Sequence, residues 1–185
     1  MADSKKLPAT APSLVGRAMY LRPATTEDIA NTHHWLLQSE PQALSVEQAV
    51  VEPAAAASEA YKKSLGDESG RTFMLIDRGA NVPVAIVSFC RLNLQNRSAE
   101  ISLVVDPDIR RKGHGGTGIR LICRYLFEQR GLNKVYATVA ESNHAAVGLL
   151  EKAGFKRDGT LRQHFYFDGE YHHGAHYSLM RFEFA

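Results

Sequence analysis

Apolar and polar residues recur along this chain in two rhythms, a strand period of two and a helix period near 3.6. The stretch VGRAMYLRPAT (15–25) reads as a strand. Thr25 and Asp28 form a capping pair that opens a helix over EDIANTHHWLLQ. Ser45 with Gln48 opens a second helical stretch, which Pro53 restarts as PAAAASEAYKKSL. RTFMLIDR and VPVAIVSFCRLNL are the next strands, and QNRS (95–98) is a hairpin turn into AEISLVV. Beyond a glycine-rich segment, Ile119, Ile122 and Leu126 share one helical stripe with Leu121 and Tyr125 alongside, and Gly131 caps its end. LNKVYATVA is a strand, and NHAAVGLLEKAG a short helix stopped by Gly154. LRQHFYF and HHGAHYSLMRFEF form a terminal hairpin turning at DGEY. Strands that meet mostly through hairpins, with helices between some of them, predict an α/β (α+β) fold. Its centre is a mixed, mostly antiparallel sheet of about seven strands flanked by helices.

Composition narrows the picture. The 185 residues fit one domain, expected over 14–185 behind a flexible tail over 1–13. With 44% hydrophobic and 23% charged residues there is material for a real core. A net charge of +2 and a pI near 8.6 are too mild to indicate a nucleic-acid partner. No apolar run approaches the roughly 20 residues of a membrane span, and MADSKKLPATAPS has no apolar core after its lysines. A cytoplasmic protein with no membrane partner is expected. Cys90 and Cys123 sit in apolar segments and read as buried free thiols. In HHGAH (172–176) only His172, Gly174 and His176 share a strand face, without an acidic or cysteine partner, so no metal is expected. His33-His34-Trp35 reads as a helix surface carrying one core aromatic.

The chemistry concentrates in DPDIRRKGHGGTGIRL (106–121). GHGGTG (113–118) matches the dinucleotide pattern G-x-G-x-x-G, but its context is wrong. Seven residues, Asp106 to Lys112, separate strand from glycine, and the acid Glu141 lies 28 residues after Gly113 rather than the usual 20 or so. No Gly-Lys-Ser/Thr supports a triphosphate loop. Arg110, Arg111 and Lys112 bring positive charge, while Gly113, Gly115 and Gly116 leave backbone N–H groups bare. A helix starting near Thr117 adds the positive end of its dipole, so the segment reads as a pyrophosphate cradle.

RRKGHG (110–115) resembles the R/Q-x-x-G-x-G/A signature of the GCN5-related N-acetyltransferases (GNAT). AEISLVVDPDIRRKGHG resembles that family's fourth strand and pyrophosphate loop. LNKVYATVAESNHAAVGLLEKAGFKRDGTLRQHFYFDGEY resembles its fifth strand, following helix, E-K-x-G-F turn and last hairpin. The look is that of the branch acetylating protein N-termini and polyamines, and it covers about 15–184.

The resemblance implies acetyl-CoA as co-substrate, held between splayed strands 4 and 5. Val104 and Val105 would bind the pantetheine arm through their backbone, one N–H polarising the thioester carbonyl. Arg110, Arg111, Lys112, Gly113, His114, Gly115, Gly116 and Thr117 would hold the pyrophosphate. Asn143 matches the asparagine that bonds the pantetheine arm, and it also fits a plain helix N-cap. Lys152 would approach the ribose phosphate or simply be solvated.

By strand alternation Glu100, Ser102 and Val104 share a face, which makes Glu100 the candidate base; the other reading of Glu100 is an ion pair with Arg91 or Arg97. One departure stands out. Leu150 occupies the place of the family's proton-donating tyrosine. Ser142, His144, Tyr166, Tyr171 and Tyr177 are the weaker candidates to replace it. Two functions follow. The first is direct acetyl transfer to a small-molecule or peptide primary amine, such as a protein N-terminus, polyamine, amino sugar or antibiotic, by a monomer or homodimer. The second is a non-catalytic acyl-CoA-binding regulatory module of the same fold.

Overall fold

A computed structural model describes residues 14–37 and 52–184. The expected tail over 1–13 and the helix start at Ser45 and Gln48 lie outside the described residues. The elements follow in chain order: β1 (Met19–Pro23), α1 (Thr26–Leu37), α2 (Ala54–Ser64), β2 (Arg71–Asp77), β3 (Val82–Asn93), β4 (Ser98–Val105), α3 (His114–Glu128), β5 (Lys134–Ala140), α4 (His144–Lys152), β6 (Lys156–Phe167) and β7 (Glu170–Met180). All seven strands form one sheet in the order β1-β2-β3-β4-β5-β7-β6. Among the described residues only the central pair, β4 and β5, runs parallel.

Local chemistry accounts for the punctuation. The Thr25 hydroxyl accepts from the Asp28 N–H at 3.1 Å and the Asp28 carboxylate accepts from the Thr25 N–H at 2.8 Å, a reciprocal cap on α1. Arg22 clamps the same carboxylate with two bonds of 2.5 and 2.7 Å, tying α1 to β1. Asp168 and Gly169 turn the last hairpin at φ 54° and 80°, the left-handed pair that matches strand twist. The first strand is shorter than its sequence pattern, starting at Met19, and β6 is longer, starting at Lys156. The chain after Met180 leaves the sheet in a short turn of 3-10 helix over Arg181–Glu183.

Strand alternation divides the core in two. One face of the sheet meets α3 and α4, where Ile122 and Leu126 are fully buried among Leu75, Val87, Phe89 and Val135. Burying each such side chain stabilises the fold by about 1.5–3 kcal/mol. The opposite face meets α1 and α2 through Tyr20, Trp35, Met74, Ile76 and Val104. This second cover reaches β1 to β4. Beyond it Cys90 and Ser102 are exposed. Cys90 is therefore not the buried thiol its apolar surroundings suggested, because it sits on the uncovered part of this face. Cys123 is buried, and burial pushes its thiol well up. His33 also departs from the surface reading. It is 5% exposed, with Nε2 2.7 Å from the Glu52 carbonyl.

Candidate active site

The central strands separate after three residue pairs. Ser98, Ala99 and Glu100 pair with Lys134, Val135 and Tyr136, and pairing stops there. Each strand is held by its outer neighbour instead: β4 by β3 out to Val105 opposite Ala85, and β5 by β7 out to Ala140 opposite Gly174. The inner edges of the open part thus carry backbone groups that need a partner. Alternation says which ones. The Asp106 N–H donates to the Val84 carbonyl at 3.1 Å, and the Arg97 carbonyl accepts from β5. Odd-numbered residues of β4 therefore turn their backbone groups toward the gap and even-numbered ones toward β3. Val105 faces the gap, and Leu103 joins it. The Val104 amide points at β3, and its side chain is packed in the α1–α2 core. Of the two valines read from the sequence, only Val105 offers its backbone to a ligand in the gap. Arg110 Nε donates to its carbonyl at 3.4 Å.

Downstream, Asp106 caps a short turn by accepting from the Asp108 N–H at 3.0 Å. The exposed Arg110, Arg111 and Lys112 follow, with Arg111 at φ 65° and Gly113 at φ 83° redirecting the backbone. The helix starts earlier than its apolar stripe implies. Gly113 is its N-cap and makes no side-chain cap, so His114, Gly115, Gly116 and Thr117 form the first turn. The first helical bond runs from the Thr117 N–H to the Gly113 carbonyl at 3.2 Å. The amides before it lack helical partners and share the positive end of the macrodipole, an arrangement suited to an anion.

The glycines divide the work. Side chains at Gly113 and Gly116 would meet open space. A Cβ at Gly115 would lie 3.0 Å from Leu149 and 3.1 Å from Leu103. Gly115 lets α3 approach α4 and β4, and does not itself face the open cradle expected from the sequence. Across the gap, the Asn143 side chain accepts from the Ala146 N–H at 3.0 Å, so it is the N-cap of α4. Asn143, the exposed His144 and the exposed Lys152 line the same cleft. Its volume of about 2030 Å³ exceeds an ordinary small-ligand pocket because it runs along α3 as far as Gly16 and Phe184.

Glu100 closes the paired part of β4 and β5. It is 8% exposed, and Arg91 Nη1 donates to its carboxylate at 2.7 Å. Arg91 sits at φ 51° where the β3–β4 register shifts, a bulge that turns its side chain onto Glu100. Opposite Glu100 stands Tyr136, whose ring lies 5.2 Å from that of His176. Burial and the Glu100 charge push its phenol above the usual tyrosine range, against a smaller opposing effect of Arg91. Thr138 Oγ1 is 3.0 Å from His176 Nδ1. A smaller hollow of about 390 Å³ is lined by Tyr136, His176, Asp158 and His164, and Arg91 and Thr138 line both it and the main cleft.

Sequence reasoning passed over Tyr136 and Thr138, and weighed His176 only as a metal ligand. In KVYATVA the polar residues alternate with Val135, Ala137 and Val139, a signal of facing, but only the register sets them beside Glu100. Of the substitutes proposed for the absent tyrosine, His144 lines the main cleft and Ser142 is exposed beside it, while the three tyrosines lie elsewhere. Tyr177 is buried and donates to Glu151 at 3.0 Å, and Tyr166 and Tyr171 pack together at the exposed hairpin tip, ring centres 5.0 Å apart. His172 is stacked on Phe167 at 3.8 Å, and His173 accepts from the Gln163 N–H at 3.0 Å. Among the described residues no helix is long and apolar enough to cross a membrane.

Comparison with known proteins agrees with this geometry. Residues 18–156 match the acetyltransferase (GNAT) domain. A spermidine N(1)-acetyltransferase of Vibrio cholerae is 34% identical over 113 residues, 61% of this chain and 65% of that one. Its counterpart in Escherichia coli is 26% identical over 167 residues, covering 89% of this chain and 87% of the relative. The crystal structure of spermidine N-acetyltransferase from Vibrio cholerae in complex with CoA and spermine overlays with a TM-score of 0.84 at 26% identity, covering 90% of this chain and 98% of the other.

Proposed function

The chain belongs to the GNAT acetyltransferase family, and from that premise we propose that it carries the acetyl group of acetyl-CoA directly to a primary amine, with a polyamine as acceptor. The observation that carries the reading is the gap. Two strands stop pairing at Glu100 and Tyr136, and each stays anchored on its far side. The gap then offers backbone groups of Leu103 and Val105 to an extended, amide-bearing arm, as a sheet edge accepts a strand. Arg110, Arg111, Lys112 and the first-turn amides of α3 supply a pyrophosphate site at one end of it. The open space beside Gly113 and Gly116 fits that group.

Acetyl transfer needs a neutral amine, a polarised carbonyl and a thiolate able to leave. A gap-facing amide polarises the carbonyl by donating to its oxygen as charge develops there. Glu100 takes the amine proton, directly or through one water. An ammonium entering the site exchanges with Arg91 as the partner of this carboxylate, so a cationic acceptor suits the site. The polyamine assignment draws on the likeness to spermidine acetyltransferases.

The test is thiol release from acetyl-CoA over a panel of polyamines, amino sugars and peptides with free α-amines. Polyamines should turn over fastest. Glu100→Gln should slow the parent by about a hundredfold, with acetyl-CoA affinity kept and the loss shrinking at high pH as more amine is already neutral. Faster turnover of a peptide α-amine would overturn the polyamine assignment. A Glu100→Gln enzyme as fast as the parent from about pH 6 to 9 would remove the base.

A further inference from the structure

The reaction moves one proton off nitrogen and one onto sulfur. Leu150, 4% exposed and packed in the main core, has none to give. The chain has seven tyrosines, and the fold disposes of six. Tyr20 lies inside the α1–α2 core, and Tyr61 donates its hydroxyl to the Ala24 carbonyl at 2.9 Å. Tyr125 packs from α3 against Phe73 and Phe89. Tyr177 is committed to Glu151, and Tyr166 and Tyr171 are at the hairpin tip. Tyr136 alone stands in the last paired row before the gap, directly opposite Glu100.

We infer that Tyr136 is the acid that protonates the departing thiolate, acting as a couple with Glu100; the inference rests on the acetyl-transfer reading above. Thr138, the next residue of β5 on the same face, lines both the hollow of Tyr136 and the cleft. Glu100 first passes the ammonium proton to solvent water; the neutral amine nitrogen then attacks the thioester carbon and the carbon–sulfur bond breaks with its electron pair going to sulfur. Glu100 takes the proton that nitrogen sheds, and the Tyr136 phenol gives its proton to the thiolate. Glu100, now a carboxylic acid, returns a proton to the phenolate beside it. An amine and acetyl-CoA have become an amide and CoA thiol, and both residues are restored.

The surroundings favour a phenol that stays protonated until sulfur needs it. Glu100 faces it from β4, Cys90 and Arg91 from β3 and His176 from β7, while Asp158 and His164 of β6 line the far side of its hollow. Burial and the nearby carboxylate oppose a phenolate, with Arg91 as the counterweight. Two histidines are also near: His144, exposed in the first turn of α4 where it lines the main cleft, and His176. His176 stands one strand further out on β7, with Nδ1 engaged by Thr138.

Tyr136→Phe tests the inference, since the ring and its contact with His176 remain. With acetyl-CoA and the best amine, kcat should fall about a hundredfold, with KM for acetyl-CoA changed less than about twofold. With the acetyl thioester of 4-nitrothiophenol, whose thiolate leaves unaided, variant and parent should transfer acetyl equally fast. The Glu100→Gln, Tyr136→Phe double variant should be no slower than the slower single one, because the two act as a unit. Parent-like turnover by Tyr136→Phe, or an equal loss with both thioesters, overturns the inference and leaves acetyl transfer standing. A parent inactive toward every amine overturns the acetyl-transfer reading and the inference with it.

Discussion

Gly115 and Gly116 are neighbours in one glycine-rich signature, yet the structure gives them opposite consequences. A Cβ at Gly115 would sit 3.0 Å from Leu149 Cδ2 and 3.1 Å from Leu103 Cδ2. Both are ends of flexible side chains, so alanine asks for a shift of a few tenths of an ångström. Valine adds two further methyls between α3, α4 and β4. Overpacking of this kind costs about 1–3 kcal/mol. For a chain of this length that is a fall in Tm of about 2–12 °C. A Cβ at Gly116 meets nothing within 4 Å. Gly116→Ala in a helix should hold or gain stability, by up to about 1 kcal/mol. Its methyl would instead occupy room beside the proposed pyrophosphate, where backbone must come close. The assay is thermal melting with and without acetyl-CoA. Ligand at about a hundred times Kd stabilises the parent by about 2.7 kcal/mol, and a tenfold weaker site leaves about 1.4, so the ligand-induced shift should halve. Gly115→Val should melt early in the absence of ligand, and Gly116→Ala should melt like the parent but respond half as much. A parent-like Tm for Gly115→Val, or a full ligand shift for Gly116→Ala, would refute the division of roles.

Asp28→Asn removes the ionised end of the α1 cap and its two bonds to Arg22, and should cost about 1–2 kcal/mol at neutral pH. Burial works to raise the Asp28 carboxyl, but the hydrogen bonds from Arg22 and Thr25 outweigh it and hold it below the usual carboxylate range. The stability it contributes is thus present above the ordinary carboxylate pKa and is lost as pH falls through the lowered value. Melts of parent and variant should converge as pH falls below the ordinary carboxylate range, and a constant difference would disprove the linkage. Leu150→Tyr would put the family's hydroxyl back on α4, but the side chain it replaces is 4% exposed in the core. It should lower Tm through about 1–3 kcal/mol of overpacking and bring no rate gain. A faster enzyme with an unchanged Tm would show that the site has room for that acid.

Much of the candidate site was legible in the chain because its signals are local. The charge run 110–112, the glycines at 113 and 116, and Asn143 before an apolar helix each express a backbone requirement within a few residues. The Thr25–Asp28 cap and the Asp168–Gly169 turn are local in the same way, and both form as the residue types dictate. Even the face of Glu100 follows from strand alternation alone. The helix start at His114 rather than near Thr117 was hidden because glycines carry no apolar stripe to mark the first turn.

What only the tertiary structure decided depends on register and on which neighbour a residue meets. That Val105 and not Val104 turns its amide into the gap follows from the phase of the β3–β4 ladder. That Gly115 is a packing residue depends on Leu149 and Leu103, 34 positions downstream and 12 upstream in the chain. Cys90 reads as core in its own strand, yet it is exposed because α1 and α2 end their cover short of it. Tyr136 is an unremarked strand tyrosine in the sequence, and it stands beside Glu100 because β5 aligns with β4 for three pairs and then turns away with β7. Periodicity reports which side of an element is buried. It carries no information about the partner across the ladder, and that pairing, chosen by the packing of the whole sheet, brings Glu100 and Tyr136 together.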